Sequence, residues 1–266
     1  MSRKPNHPAP VFASPIQFVT LTTDFGLSDS YVASLKASIL RQAPNARLID
    51  VTHQIPPQDL ACGAIMLERA IDGFPPGTVH LAVVDPGVGT DRRILIVEIH
   101  GQLAVCPDNG LITWAWRRLG PGQAHELKWR PPKASWTFHG RDILGPAAGM
   151  LVAGKPINEI ADPIDDPVLL DIVPAKAPAR RGRIIHIDHY GNAMTNIPRE
   201  AFGIGRKAKI TVAGKPVGRP KRTYCDTAPG LPLALFGSAG LLEIAVRDGS
   251  AAKSLALHVG DEVVVE

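Results

Sequence analysis

Two patterns with a break between them predict an α/β protein: an N-terminal three-layer α/β domain on a mostly parallel sheet, then a small all-β barrel domain. Over residues 17–84, β-branched apolar runs alternate with helical periodicities. That alternation lays helices on both faces of a parallel sheet. At 174–182 the stretch PAKAPARRG has no periodicity and reads as a linker. Beyond it come only short strand patterns and turns, as in a small barrel or sandwich. The domains are expected at 16–173 and 183–266.

The elements follow in order. Residues 1–15, interrupted by prolines 5, 8, 10 and 15, read as a tail. Gln17–Thr23 alternates as a strand and stops at Asp24-Phe25-Gly26. From Asp29 to Gln42, Tyr31, Val32, Leu35, Ile39 and Leu40 recur at helical spacing, with Ser28 or Asp29 as N-cap. Arg47–Val51 is a second strand ending at Thr52-His53, and Asp59 to Ile71 a second helix. Val79–Val84 is an apolar run that reads as a buried strand and ends at Asp85. Ile94–Ile99 is a further apolar run, and Leu103–Cys106 ends in Pro107-Asp108-Asn109-Gly110. Trp136 to Phe138 leads into His139-Gly140-Arg141-Asp142 and a helix from Gly145 to Ala153. After the linker the candidate strands are Arg183–Asp188, Lys209–Val212, Leu233–Phe236, Leu242–Val246 and Glu262–Val265.

Composition excludes several classes. The formal net charge is +4, and its densest basic spot is Arg219-Pro220-Lys221-Arg222. Aromatics make up 5% of the chain, too few to interleave a nucleic-acid groove. The three cysteines lie far apart, so neither a disulfide framework nor a structural zinc site is expected. The N-terminal residues, their prolines interrupting any apolar stretch, do not read as a secretory signal, and no apolar run approaches the roughly 18 residues that span a bilayer. The expectation is a cytoplasmic protein with no membrane and no nucleic-acid partner.

Chemistry gathers at the strand ends. Asp24 with Asp29, His53, Asp85, Asp108, and His139 with Asp142 all end or follow predicted strands. Single polar residues there cap helices or satisfy turns. Repetition at successive ends of a parallel sheet instead converges on one edge, where ligands bind in open α/β sheets. The richest stretch is Asp85-Pro86-Gly87-Val88-Gly89-Thr90-Asp91-Arg92, which brings a carboxylate and a guanidinium to that edge. Nucleophile-elbow, phosphate-loop and zinc-helix motifs are missing. On residues alone the group of Asp85, Arg92 and a distant His could be structural ion pairing or could fix and deprotonate a water, and two further readings stand beside these. One is a metal-dependent hydrolase using Asp24, Asp85, Asp108 and His139. The other is a sensor that binds a nucleoside without turnover.

The segments TTDFGLSDSYVASLKA, DVTHQIPPQDL, FPPGTVHLAVVDPGVGTDRR, PDNGLIT, FHGRDILGPAA, IDHYGNAMTNI and FGSAGLLEIA occur in the order seen in the S-adenosylmethionine hydroxide adenosyltransferases. The chain resembles that family, the hydrolase relatives of fluorinase and chlorinase, over roughly residues 16–266. The resemblance implies hydrolysis of S-adenosyl-L-methionine to adenosine and L-methionine, with no cofactor and no metal. It also implies a homotrimer with active sites between subunits. The family's catalytic triad matches Asp85, Arg92 and His139. Asp24 matches the carboxylate that holds the ribose hydroxyls, and Asp188 the acid at the methionine amino group. Asn192 and Tyr224 match adenine contacts, and Ser238 a residue near the methionine carboxylate. Gly140 stands where the fluorinase has its fluoride-holding serine, which disfavours halide transfer. Gln58 and Ala239 stand where it has a tryptophan and an arginine.

The implied roles suit the residue types. A sulfonium leaves as a neutral thioether and needs no general acid. Water is the weak partner, and a carboxylate or imidazole within hydrogen-bond reach can take its proton. Arginine stays protonated, so Arg92 is assigned to orientation and charge stabilisation. His53, between a strand end and Pro56-Pro57, is read as structural.

Overall fold

A computed structural model describes residues 17–202 and 208–266; the tail expected over 1–15 lies outside them. The chain opens as β1 (Phe18–Thr23), α1 (Tyr31–Leu40), β2 (Arg47–Thr52), α2 (Leu60–Gly73) and β3 (Val79–Val83). It continues through β4 (Ile94–Ile99), β5 (Gln102–Pro107), α3 (Thr113–Arg118) and β6 (Gln123–Leu127). A π-helical turn, Gly140–Leu144, runs directly into α4 (Gly145–Val152), and β7 (Ala161–Ile164) closes this half.

These strands form one sheet in the order β2-β1-β3-β5-β4-β6-β7. β2, β1, β3 and β5 pair parallel. β4 runs against both β5 and β6, and β7 against β6. The parallel part is thus extended by an antiparallel edge. β3 is buried along its whole length, as a strand covered on both faces must be. On one face Leu35, Ile39, Leu144 and Leu151 from α1 and the α4 segment pack on Leu21, Leu81 and Val83. On the other, Leu67, Ile71 and Ala115 from α2 and α3 pack on Ala82, Val84 and Leu95. That gives the three layers.

The second half is β8 (Arg181–Ile187), β9 (Ala193–Pro198), β10 (Ile210–Val212), β11 (Lys215–Gly218), β12 (Pro220–Lys221), β13 (Pro232–Phe236), β14 (Leu241–Val246), a short α5 (Ala251–Ser254) and β15 (Glu262–Val265). Its sheet order is β11-β10-β15-β8-β9-β14-β13-β12, and it curls around Ile184, Ile197, Ile210, Leu242, Ile244 and Val263 as a nearly closed barrel. The 174–182 stretch lies along this sheet: Ala175 N–H donates to Asn196 O, Ala179 N–H donates to Ala201 O, and Ala179 is buried in the barrel core.

Some local expectations shift. α1 starts at Tyr31, with Ser30 at its cap position and no side-chain cap, so neither Ser28 nor Asp29 plays that part. α2 is capped as its sequence suggests, Asp59 accepting the Cys62 N–H at 2.9 Å. Among the described residues no helix is long and apolar enough to cross a membrane.

Candidate active site

β1, β2, β3 and β5 are parallel, so Asp24, His53, Asp85 and Asp108 emerge at one edge of the sheet. The loop after β3 turns at once: Val88 N–H bonds Asp85 O at 3.2 Å, and the Thr90 hydroxyl donates to Gly87 O at 2.7 Å. Gly89 has φ +81°, and a Cβ there would collide with the Trp136 carbonyl oxygen. Only glycine lets the loop lie this close to the segment that ends in His139.

That approach assembles a cluster. Arg92 folds back on Asp85, its Nε donating to Oδ1 at 2.6 Å and its Nη2 to Oδ2. The same Nη2 lies 3.4 Å from His139 Nδ1. A guanidinium only donates, so this Nδ1 is the acceptor and the neutral imidazole carries its proton on Nε2. The Asp85 and Arg92 side chains are only 5% and 9% exposed, a nearly buried bidentate pair. His139 is held below the ordinary imidazole range, first by burial and then by the positive charges of Arg92 and Arg130, against the opposing pull of Asp85 and Asp142. It is neutral at pH 7.

Asp85 and His139 line a cavity of about 270 Å³ that Asp24, Gln58, Val88 and Phe138 also line. Asp24 Oδ2 accepts the Gln58 N–H at 2.9 Å, and Gln58 takes φ +66° to present it. Among the described residues none donates to Asp24 Oδ1. Phe25 and Phe138 wall one side, and Tyr31 packs on both, the three rings meeting edge-on or tilted at 5.3–6.1 Å. At Gly140 a Cβ would sit 3.2 Å from Phe25 Cζ, so a larger residue would crowd the wall.

The remaining expected residues meet elsewhere. Asp188, Asn192, Tyr224 and Ser238 line a second cavity of about 420 Å³, together with Arg69 and Glu243. It shares no lining residue with the first. Asp188 Oδ1 accepts N–H groups from Tyr190 and Asn192, and Oδ2 accepts the Asn192 side-chain amide at 3.1 Å. Three of its roughly four acceptor positions hold its own turn together. The Tyr224 hydroxyl donates to Glu243 Oε1 at 2.6 Å. Burial raises the Glu243 carboxyl, helped by Asp188 and opposed by the Tyr224 bond and Arg69.

Sequence reasoning misses Arg69 and Glu243. Glu243 had a signal: it is the one charged residue of β14, whose every position is buried. Arg69, beside Glu68 on a helix, had none.

Other strand-end polar groups are structural. His53 is buried, with Nδ1 2.8 Å from Thr23 Oγ1 and Nε2 3.1 Å from Asp50. The Asp108 carboxylate accepts from Arg93 Nε and Val168 N–H, both at 2.7 Å, and so turns away from Asp85 and His139. Asp142 is taken by Arg141 and the Ser135 N–H, and Asp29 is exposed. Among the described residues no three His, Cys, Asp or Glu side chains converge as metal ligands would.

The family profile "SAM hydroxide adenosyltransferase N-terminal domain" matches residues 19–161, and "SAM hydroxide adenosyltransferase C-terminal domain" matches residues 182–264. The chain is 38% identical to an (R)-S-adenosyl-L-methionine hydrolase of Thermus thermophilus, covering 92% of this chain and 97% of that one. It is 38% identical to a protein of that name from Salinispora arenicola, covering 93% and 97%. A fluorinase of an Actinoplanes species is more distant, at 28% over 76% of this chain and 78% of that one. The crystal structure of a conserved Thermotoga maritima protein superposes with TM-score 0.87 at 34% identity, covering 93% of this chain and 100% of that one.

Proposed function

The chain belongs to the SAM hydroxide adenosyltransferase family, and from that premise we propose how its residues act: it hydrolyses S-adenosyl-L-methionine to adenosine and L-methionine. The observation that carries the reading is the contact of Arg92 with both Asp85 and His139, which line the cavity that Asp24 also lines.

In this reading Asp24 accepts the ribose hydroxyls, its unbonded Oδ1 facing the sugar. A water molecule beside Asp85 and His139 attacks C5′ in line with the C–S bond. The C5′–O bond forms, the C5′–S bond breaks, and its electron pair leaves on a neutral thioether. His139 Nδ1 is turned to Arg92, so its Nε2–H donates to the water, and Asp85 takes the proton that the water loses. Arg92 holds Asp85 in place and stabilises the developing hydroxide character. No residue need protonate the leaving group. At the second cavity Asn192 and Tyr224 receive the adenine, and Asp188 and Ser238 the methionine end. Asp188 acts there through its one remaining acceptor position.

The two cavities share no wall, and apolar side chains stand exposed beside each: Trp136 (78%), Leu27 and Tyr31 by the first, Tyr190 (75%) by the second. Exposed apolar rims of this kind suit covered surfaces. They support a homotrimer in which one subunit's 16–173 unit meets the 183–266 unit of the next, with the 174–182 stretch packed along the barrel and not a free linker. The unpaired Cys62, Cys106 and Cys225 accord with a reducing, cytoplasmic compartment.

The test is incubation with S-adenosylmethionine, with and without EDTA and chloride, with chromatography of the products. Equimolar adenosine and methionine in every condition is the expected result. Binding without products would leave a sensor, loss of products in EDTA a metal-dependent hydrolase, and a halogenated nucleoside a halide transferase.

A further inference from the structure

The second cavity holds an unmatched charge. Among the residues that line it, Asp188 and Glu243 are acids and Arg69 is the sole cation. Ser238 offers one hydroxyl there, and its neighbour Ala239 no side-chain donor. Arg69 is half-buried on α2. Among the described residues it has no carboxylate within 4.0 Å, unlike Arg92, Arg93, Arg118 and Arg141. A guanidinium carries five donors and no acceptor, and half-burying it without a partner is unfavourable unless a ligand supplies one.

Its place is fixed from behind. Glu68, the preceding residue, pairs with Arg118 Nη1 at 2.7 Å, and Arg118 Nη2 donates to Ala239 O at 3.1 Å. This chain of contacts ties α2 to the turn that carries Ser238, so Arg69 projects from a rigid helix into the cavity. The acids of that cavity suit an ammonium; only Arg69 suits a carboxylate.

We propose that Arg69 binds the α-carboxylate of the substrate's amino-acid end and so selects a zwitterionic amino acid on the sulfonium. This rests on the adenosyl-sulfonium reading above and deepens it. Arg69 touches neither the reacting carbon nor the water, so its effect falls on substrate affinity and not on turnover.

The experiment compares S-adenosylmethionine with its decarboxylated counterpart, which keeps the sulfonium and the ammonium but lacks the carboxylate. Wild type, Arg69→Met and Arg69→Lys are measured for kcat and KM by adenosine release, and for Kd by calorimetry. Arg69→Met should raise KM and Kd for S-adenosylmethionine by about 10–100-fold, the range for losing a charge-assisted bond, with kcat little changed. It should leave the decarboxylated substrate unaffected, which also shows that the variant folds. Arg69→Lys should restore part of the loss, on S-adenosylmethionine alone. Equal losses on both substrates, or no loss on S-adenosylmethionine, would overturn the proposal. If wild type released no adenosine, the hydrolase reading would fail, while the two calorimetric Kd values would still decide the role of Arg69.

Discussion

Replacing Asp85 by Asn keeps the side chain's size but removes its charge and its capacity to take a proton. If Asp85 accepts the proton of the attacking water, the loss is that of a general base, about 10²–10⁴ in kcat. At about 1.36 kcal/mol per decade this is roughly 2.7–5.4 kcal/mol of transition-state stabilisation. A second effect follows from the geometry. The Asp85 and Arg92 side chains are 5% and 9% exposed, so the substitution leaves a guanidinium nearly buried without its counter-charge. Breaking such a pair costs about 3–5 kcal/mol of stability at most, less here because the Asn carbonyl still accepts one bond. The assay must therefore separate turnover from unfolding. Adenosine release is measured at saturating S-adenosylmethionine, well below the variant's Tm, and Kd by calorimetry on the same sample. The expected pattern is a large fall in kcat, a lower Tm and a nearly unchanged Kd, since in the proposed reading Asp24 and the second cavity hold the substrate. Wild-type turnover in a folded Asp85→Asn protein would remove Asp85 from the chemistry.

Three further outcomes follow. Asp24→Ala removes the ribose carboxylate and should raise KM by about 10–100-fold, and a 2′-deoxy substrate should lose little more against this variant; a full additional loss would show that Asp24 does not touch the sugar. Arg118→Met strands Glu68, whose side chain is 1% exposed, and should cost about 3–5 kcal/mol in urea unfolding, whereas Glu68→Leu with Arg118→Met should recover most of it; equal stability of the single and double variants would contradict this. His80, fully buried between Thr20 Oγ1 and Gln102 Oε1, is pushed from 6.5 down to about 4 chiefly by burial. Above pH 6.5 it is neutral folded or unfolded, and between 6.5 and about 4 only the unfolded chain takes the proton, so stability falls with acidity by about 3 kcal/mol in all. His80→Gln should lose that part of the pH dependence, and an unchanged slope would place the acid sensitivity elsewhere.

How far the sequence reached depends on what each residue must satisfy. The parallel strands are legible because strands buried on both faces read as near-continuous apolar runs, as in Val79–Val84, where His80 is the one polar residue. Their parallel direction then brings Asp24 and Asp85 together, and the chain's turn at Gly89 brings His139 to them. β6 is hidden because Gln123, His125 and Glu126 lack a strand's composition; its pairing with β4 and β7 holds it in the sheet. β9 is hidden because its inward positions are Ala193, Thr195 and Ile197, a weakly apolar set directly after a Gly-Asn turn. Asp108 looks equivalent to Asp85 at its strand end, yet Arg93 and the Val168 N–H claim it from a distant part of the chain. Arg69 is unreadable for the converse reason. A charged residue on a helix is ordinarily a solvated one, and only the packing of α2 against the barrel shows that it faces a cavity.

The proposed hydrolysis requires solvent to attack the sugar carbon. Turnover in oxygen-18 water, with mass analysis of both products, tests this directly: the heavy oxygen should appear in the 5′-hydroxyl of adenosine, with methionine unlabelled. Adenosine released without the label would contradict it.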